Sequence, residues 1–363
     1  MSTYATLIDE LETAVASGEI GRRANVMQRV TDLFVSNSGR LSDAQIAVFD
    51  DVMIRLLKET NDKARAKFGQ LVAGLETAPP GIVRQLALDD SIEIAGPVLT
   101  RFDQIGADIL VESATTKSQE HLLAISKRRE IPESVTDVLV ERGNQQVAVS
   151  TTENPGASFS EFGYATLVGR AETDGELAVC VWKRPGLPRQ HLLTLFAAAS
   201  ETVQRELAAV DPNKSEEIKT LIARARNELQ SHSREASPQY STARAHVESL
   251  RDSGALSESR ILTFARAKQF DETSIALSMM CDLPEPAVER AMTHSQFDQL
   301  LVLARSIGFS FQTVKAILSM RTEAADGSDV DLKQVSESFS KLGPETAKKT
   351  LQYYRLRART ILD

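Results

Sequence analysis

Apolar residues recur along this chain at helical spacing, in short runs that a proline or a polar turn cuts off after two or three turns. Thr3 to Val15 forms an acidic amphipathic segment, and Val26, Val30, Leu33 and Phe34 share one face of a second predicted helix. Ser42-x-x-Gln45 is a capping box that opens a third, whose apolar stripe is Ile46, Phe49, Val52, Met53, Leu56 and Leu57. A fourth runs through Phe68, Leu71, Val72 and Leu75 until Pro79-Pro80 stops it.

From there the pattern repeats. Aligned on Pro80, Pro132, Pro188 and Pro284, which are 52, 56 and 96 residues apart, each proline precedes or occupies a first helical turn, where a missing N–H costs nothing. Upstream of the last three stand Leu123-Ala124-Ile125, Val179-Cys180-Val181 and Ile275-Ala276-Leu277. Further upstream come Leu110-Val111-x-x-Ala114, Leu167-Val168-x-x-Ala171 and Ile261-Leu262-x-x-Ala265, with another copy at Leu300-Leu301-x-x-Ala304. Ala95, Val147 and Val203 occupy one column, fifteen residues after the first three prolines. Each period of about 54 residues holds four short helices, or two hairpins of about 27. Such a hairpin has one apolar side per helix and cannot close a core alone, so the units must stack. The expected fold is all-α, an α-solenoid of short HEAT-like helical hairpins.

Breaks in this pattern divide the chain. Residues 1–78 read as an N-terminal helical cap and 79–210 as HEAT-like repeats. Over 211–252 seven basic and seven acidic residues cancel, and Leu221, Ile222, Ala225 and Leu229 predict a long, partly exposed helix to about Gln230. A polar break through Ser231 to Ser241 makes this charged connector the candidate hinge between two sub-arrays. A second repeat segment follows over 253–321. After the polar Ala325–Asp329 stretch, 331–363 reads as a C-terminal helical cap, with Lys348, Lys349, Arg355, Arg357 and Arg359 set around Leu351, Tyr354, Leu356 and Ile361.

Composition narrows the function classes. An aromatic content of 5% in a chain that is 42% hydrophobic suits closely packed helices. A net charge of −8 carries no footprint for general nucleic-acid binding, which needs a basic face to release phosphate counterions. Cys180 and Cys281 have no partner at metal-ligand spacing and read as buried, reduced thiols of a cytoplasmic protein. The first ten residues do not resemble a secretory leader, and no run approaches the twenty or so apolar residues that span a bilayer. Phosphate-loop, GxGxxG, G-x-S-x-G and H-E-x-x-H patterns are all missing, the five histidines are dispersed, and Asp326-x-x-Asp329-x-Asp331 lacks calcium-loop spacing. No cofactor or metal is expected.

The phrases LALDDSIEIAGPVL, HLLAISKRREIPESVTDVLVERGN, NPGASFSEFGYATLVGRAETDGELA and LQYYRLRAR, which lie between about Arg22 and Arg359, resemble the alphaproteobacterial domain of unknown function 2336 family. The resemblance implies an all-helical, HEAT-like repeat protein and brings no activity, ligand or catalytic residue with it.

The candidate contact residues come from the repeat itself. Arg128 and Arg184 hold one column, four residues before a proline, preceded by Lys127 and Lys183. On one reading each cation closes its own helix C-terminus, offsetting the macrodipole and binding free carbonyls. On the other the guanidinium groups form a ladder along an edge, able to grip acidic peptide or phosphate, with Trp182 as aromatic anchor. His121 opens its helix and is placed to cap or touch the preceding turn. The expected function is a non-enzymatic module that binds another protein, with contact falling on Trp182 and Arg184. A nucleic-acid- or nucleotide-responsive repeat protein is the alternative. A hydrolase site assembled across repeats is a third class, and the oligomeric state stays open.

Overall fold

The computed structural model describes residues 20–37, 41–210, 215–293, 297–320 and 332–360. The helix expected over Thr3–Val15, the Ala325–Asp329 break, His294 and Asp331 lie outside them. Among the described residues the chain is all-α: 21 helices, no strand, and a single parallel bridge between Ile131 and Ala157. None of these helices is long and apolar enough to cross a membrane. Contacts divide the chain into two compact units, Met1–Gly163 and Tyr164–Asp363.

The first unit contains α1 (Ile20–Asn37), α2 (Asp43–Lys58), α3 (Asp62–Val72), α4 (Pro80–Ala87), α5 (Ile92–Arg101), α6 (Ala107–Thr116), α7 (Gln119–Ser126), α8 (Glu133–Arg142) and α9 (Gln145–Glu153). Each helix packs on its second neighbour. One layer runs α2, α4, α6, α8 and the other α3, α5, α7, α9, with α1 against α2 and α3. This is the stacking that the hairpin repeat predicts, because an eight- to ten-residue helix has room for one apolar stripe and needs the next hairpin to cover it. The repeat columns supply much of the core: Leu110, Ala114, Ile125, Ala95 and Val147 are buried, while Val111, Leu123 and Ala124 are half-buried. Gly69 sets the α3–α5 approach, since a Cβ there would stand 2.5 Å from the Ile94 carbonyl oxygen. Boundaries follow local chemistry. Ser42 donates its N–H to Gln45 Oε1 at 2.8 Å, Asn61 and Asn144 accept from Ala64 and Val147, and Pro132 precedes α8.

The second unit is built differently. Helix α10 (Glu161–Ala171) contains the dividing point, and α11 (Gly175–Lys183), α12 (Arg189–Val210), α13 (Ser215–Glu235), α14 (Pro238–Asp252), α15 (Glu258–Arg266), α16 (Phe270–Cys281), α17 (Glu285–Thr293), α18 (Asp298–Ser306), α19 (Phe311–Ser319), α20 (Leu332–Lys341) and α21 (Pro344–Thr360) follow. Here α12 packs on α13 and α17, α14 on α16, α15 on α16 and α19, and α18 on α21. One continuous core, including Val247, Ile261, Ile275, Leu277, Val288, Leu300 and Val314, joins them. Cys281 lies inside it, and burial pushes its thiol up to about 12. Cys180 is only half-buried.

One feature differs from the sequence expectation. The polar break expected over Ser231–Ser241 shrinks to Ala236-Ser237, because α13 continues to Glu235 and Ser237 Oγ caps α14 by accepting from the Tyr240 N–H at 3.1 Å. The polar residues there have inward partners: Ser233 meets Arg189 and Arg234 meets Glu289.

Candidate functional site

The basic pairs have unequal fates. Arg128 is not on an edge: it is 6% exposed, and its guanidinium donates to the carbonyls of Leu99 at 2.7 Å, Phe102 at 2.9 Å and Asp103 at 3.4 Å. The expected cap on its own helix is therefore corrected, as is its place in a partner-gripping ladder. Arg128 closes the C-terminus of α5 from the following hairpin, which satisfies carbonyls that a short helix leaves open. Burial pushes its pKa down, with Asp103 pulling the other way. Asn154 repeats the device one hairpin on, donating to the carbonyls of Ser126 at 2.8 Å and Arg128 at 2.7 Å. Lys127 beside it is exposed.

His121 is likewise internal, at 1% exposure. Its Nδ1 meets Ser118 Oγ at 2.8 Å and its Nε2 meets the Asp89 carbonyl at 3.0 Å. The carbonyl can only accept, so Nε2 carries the proton and Nδ1 accepts from the serine hydroxyl in the neutral ring. The ring ties the start of α7 to the turn after α4.

In the second unit an ion network joins residues far apart in sequence. Arg189 pairs with Asp271 and with the fully buried Glu289, which Arg234 also reaches at 3.1 Å. Arg189 lies 4.9 Å from the centre of the Tyr240 ring, the Tyr240 hydroxyl donates to Glu285, and Arg244 pairs with Glu285 at 2.9 Å. Burial pushes the Glu285 and Glu289 carboxyls up, against the pull of these arginines. The cleft above, about 530 Å³, is lined by Arg234, Glu235, Tyr240, Arg244, Glu285 and neighbouring serines and prolines. Three guanidinium groups meet three carboxylates, and both Glu285 oxygens are committed. The arrangement bolts α12, α13, α14, α16 and α17 together. Sequence reading missed it because its members are spread over a hundred residues, each looking like an ordinary surface charge. Among the described residues no group of three or more His, Cys, Asp or Glu side chains is placed to hold a metal ion.

The remaining candidates sit on the other side of the packing code. Trp182 is 44% exposed, Lys183 is exposed, and Arg184, half-buried, is the C-cap residue of α11. Trp182 rests against Phe196 of α12 with ring centroids 6.4 Å apart. Val179, one turn before Trp182, is 51% exposed, and Val203, two turns after Phe196, is 46% exposed. The repeat columns that contain Val179 and Val203 predict burial; of their counterparts Ile275, Ala95 and Val147 are buried and Leu123 is half-buried. Helices α11 and α12 thus expose apolar side chains at positions where the repeat pattern predicts cover.

No curated protein and no solved structure matches the chain. Residues 94–352, well over half of it, match the model of the family described as "Uncharacterised protein conserved in bacteria" (DUF2336), and the chain belongs to that family.

Proposed function

We propose that this protein is a non-enzymatic interaction module, built on HEAT-like hairpins and working in the cytoplasm, that docks another protein on the exposed face of α11 and α12. One observation carries the reading: Val179, Trp182 and Val203 are exposed on α11 and α12, Trp182 rests on Phe196, and Val179 and Val203 stand in repeat columns whose counterparts Ile275, Ala95 and Val147 are buried. Exposed apolar side chains around an aromatic pair are the usual chemistry of a protein contact, and tryptophan is among the residue types enriched at contacts whose loss costs about 2 kcal/mol or more. Lys183 supplies a polar rim.

A photocrosslinking side chain placed at Val179 or Val203 tests this in cells. The same protein should be recovered as a discrete adduct from both positions, and the purified pair should bind with at least about a thirtyfold loss on Trp182→Ala. Adducts that are absent or differ between the two positions, or an affinity that ignores Trp182, would overturn the reading.

A further inference from the structure

Beside the apolar face lies a narrow cationic pocket. Leu193, Phe196 and Ala197 of α12, Arg226 and Gln230 of α13, and Arg290 and Thr293 of α17 line it. Phe196 belongs to both features, since it walls the pocket and carries Trp182 on its ring.

The charges in this pocket are unbalanced. No carboxylate among the described residues lies within ion-pair distance of Arg226 or Arg290, and Arg290 reaches only the Asn227 side-chain oxygen, at 3.5 Å. Of the acids that act on them from further away, Glu201 on Arg226 and Glu289 on Arg290, Glu289 is already committed to Arg189 and Arg234. Burial pushes both guanidinium pKa values down, and Arg226 and Arg357 add like-charge repulsion at Arg290. Two buried polar atoms also lack any partner: Arg226 Nε, a donor, and Oε1 of Gln230, an acceptor on a residue 1% exposed. Groups left this way cost free energy until something fills the gap.

The enclosed space, about 10 Å³, takes a single water, which can donate to Gln230 Oε1. It brings no charge, so the two guanidinium groups still call for a carboxylate. Arg226 and Arg290 are both half-buried, so that carboxylate can meet them at the pocket mouth without entering the cavity. Because Phe196 joins the pocket to the apolar face, a segment lying on that face can supply it.

We propose that the partner on the α11–α12 face is an acidic amphipathic segment, whose apolar side covers Trp182 and Phe196 and whose Asp or Glu side chain pairs with Arg226 and Arg290 at the pocket mouth. This inference rests on the interaction reading above and specifies its partner.

The test uses the full chain and fluorescein-labelled amphipathic helical peptides of sixteen residues. Each carries a leucine stripe and one Glu, stepped through four successive positions beside the stripe, with a Gln twin for each. At least one Glu peptide should bind about tenfold more tightly than its twin, the equivalent of about 1.4 kcal/mol. Arg226→Gln and Arg290→Gln should each bring that ratio towards one while leaving the Gln peptides unchanged, which also reports that the variant is folded. Arg290→Glu should transfer the preference to a Lys peptide. Trp182→Ala should weaken Glu and Gln peptides alike. Peptides that bind through Trp182 with no Glu preference at any position would overturn the acidic-partner inference alone and leave a pocket that holds water. Peptides that bind without regard to Trp182, or not at all, would overturn the docking face as well.

Discussion

The two units solve the same problem, covering short one-sided helices, by different routes. In the first, the polar contacts between hairpins span a nearly constant sequence distance: Arg65 to Asp89, Lys117 to Asp90, Asn154 to the Arg128 carbonyl, and Arg128 to the Leu99 carbonyl lie 24 to 29 residues apart. In the second they span from 37, for Arg305 to the Leu342 carbonyl, to 130, for Gln190 to the Met320 carbonyl. A nearest-neighbour stack distributes its stability over similar joints. A bundle concentrates it where distant helices converge, here on Arg189 and Glu289. The lesson is that a repeat pattern in sequence does not by itself guarantee a repeat architecture. Pro188 and Pro284 keep the grammar of Pro80 and Pro132, yet the 22-residue α12 and the 21-residue α13 interrupt the hairpin rhythm between them.

The largest effect should come from breaking the bundle at its bolt. Glu289→Ala strands Arg189 and Arg234 without their shared carboxylate and should cost about 3–5 kcal/mol. Urea unfolding combined with hydrogen exchange should show protection lost across α12 to α17 while α5 to α9 keep theirs. Equal loss in both units would break the comparison.

Next is the stack. Arg128→Ala leaves the carbonyls of Leu99 and Phe102 without their donor and should cost about 2–3 kcal/mol, with faster exchange confined to α5, α7 and their immediate neighbours. Arg128→Lys should rescue little, because one ammonium cannot span carbonyls that a planar fork reaches together. Loss spreading through the second unit would show that the joints are not local.

A smaller effect, with a pH signature, is expected at Glu258. Its Oε1 accepts from the Ser310 N–H at 2.7 Å, the Ser310 hydroxyl at 2.7 Å and the Thr313 hydroxyl at 2.6 Å, tying α15 to the start of α19. Burial pushes this carboxyl up, but the three hydrogen bonds outweigh it, and the net shift is downward. Because the folded pKa is below the unfolded one, the stabilisation is present above the unfolded carboxyl value of about 4.3 and is lost as pH falls through the folded value. Glu258→Gln should cost about 1 kcal/mol at pH 7 and flatten the stability–pH curve between pH 5 and pH 3. A variant curve parallel to the native one would remove Glu258 as the cause.

Smallest in stability and largest in binding is Trp182→Ala. The half-exposed ring should contribute less than about 1 kcal/mol to folding, read as the urea midpoint, while partner affinity falls as described above. A large loss of stability would mean that Trp182 belongs to the core and not to a contact face.

Much of the hairpin pattern was legible in the chain. The capping box at Ser42, the prolines ahead of α4, α8, α12 and α17, and the buried columns through Leu110, Ala114 and Ile125 are local or near-local signals, carried by residues within one hairpin of their partners. Of the contact candidates, Trp182 and Lys183 are on the surface, whereas His121 and Arg128 turned inward. The sequence column that pairs Arg128 with Arg184 records only that a cation follows a short helix. Whether it meets solvent depends on which carbonyls the previous hairpin presents.

What the sequence determined alone was helicity, the hairpin period and the identity of most packing columns, because periodicity and caps act over a few residues. Tertiary structure decided where the period fails. Val179 and Val203 carry the residue type of a core column, but nothing in their own helices says whether a neighbour covers them, and the long α12 puts none there. Arg226, Gln230 and Arg290 likewise become a pocket only when α12, α13 and α17 converge. Burial and charge balance are properties of neighbours brought together across the chain, so they are settled by packing and not by spacing.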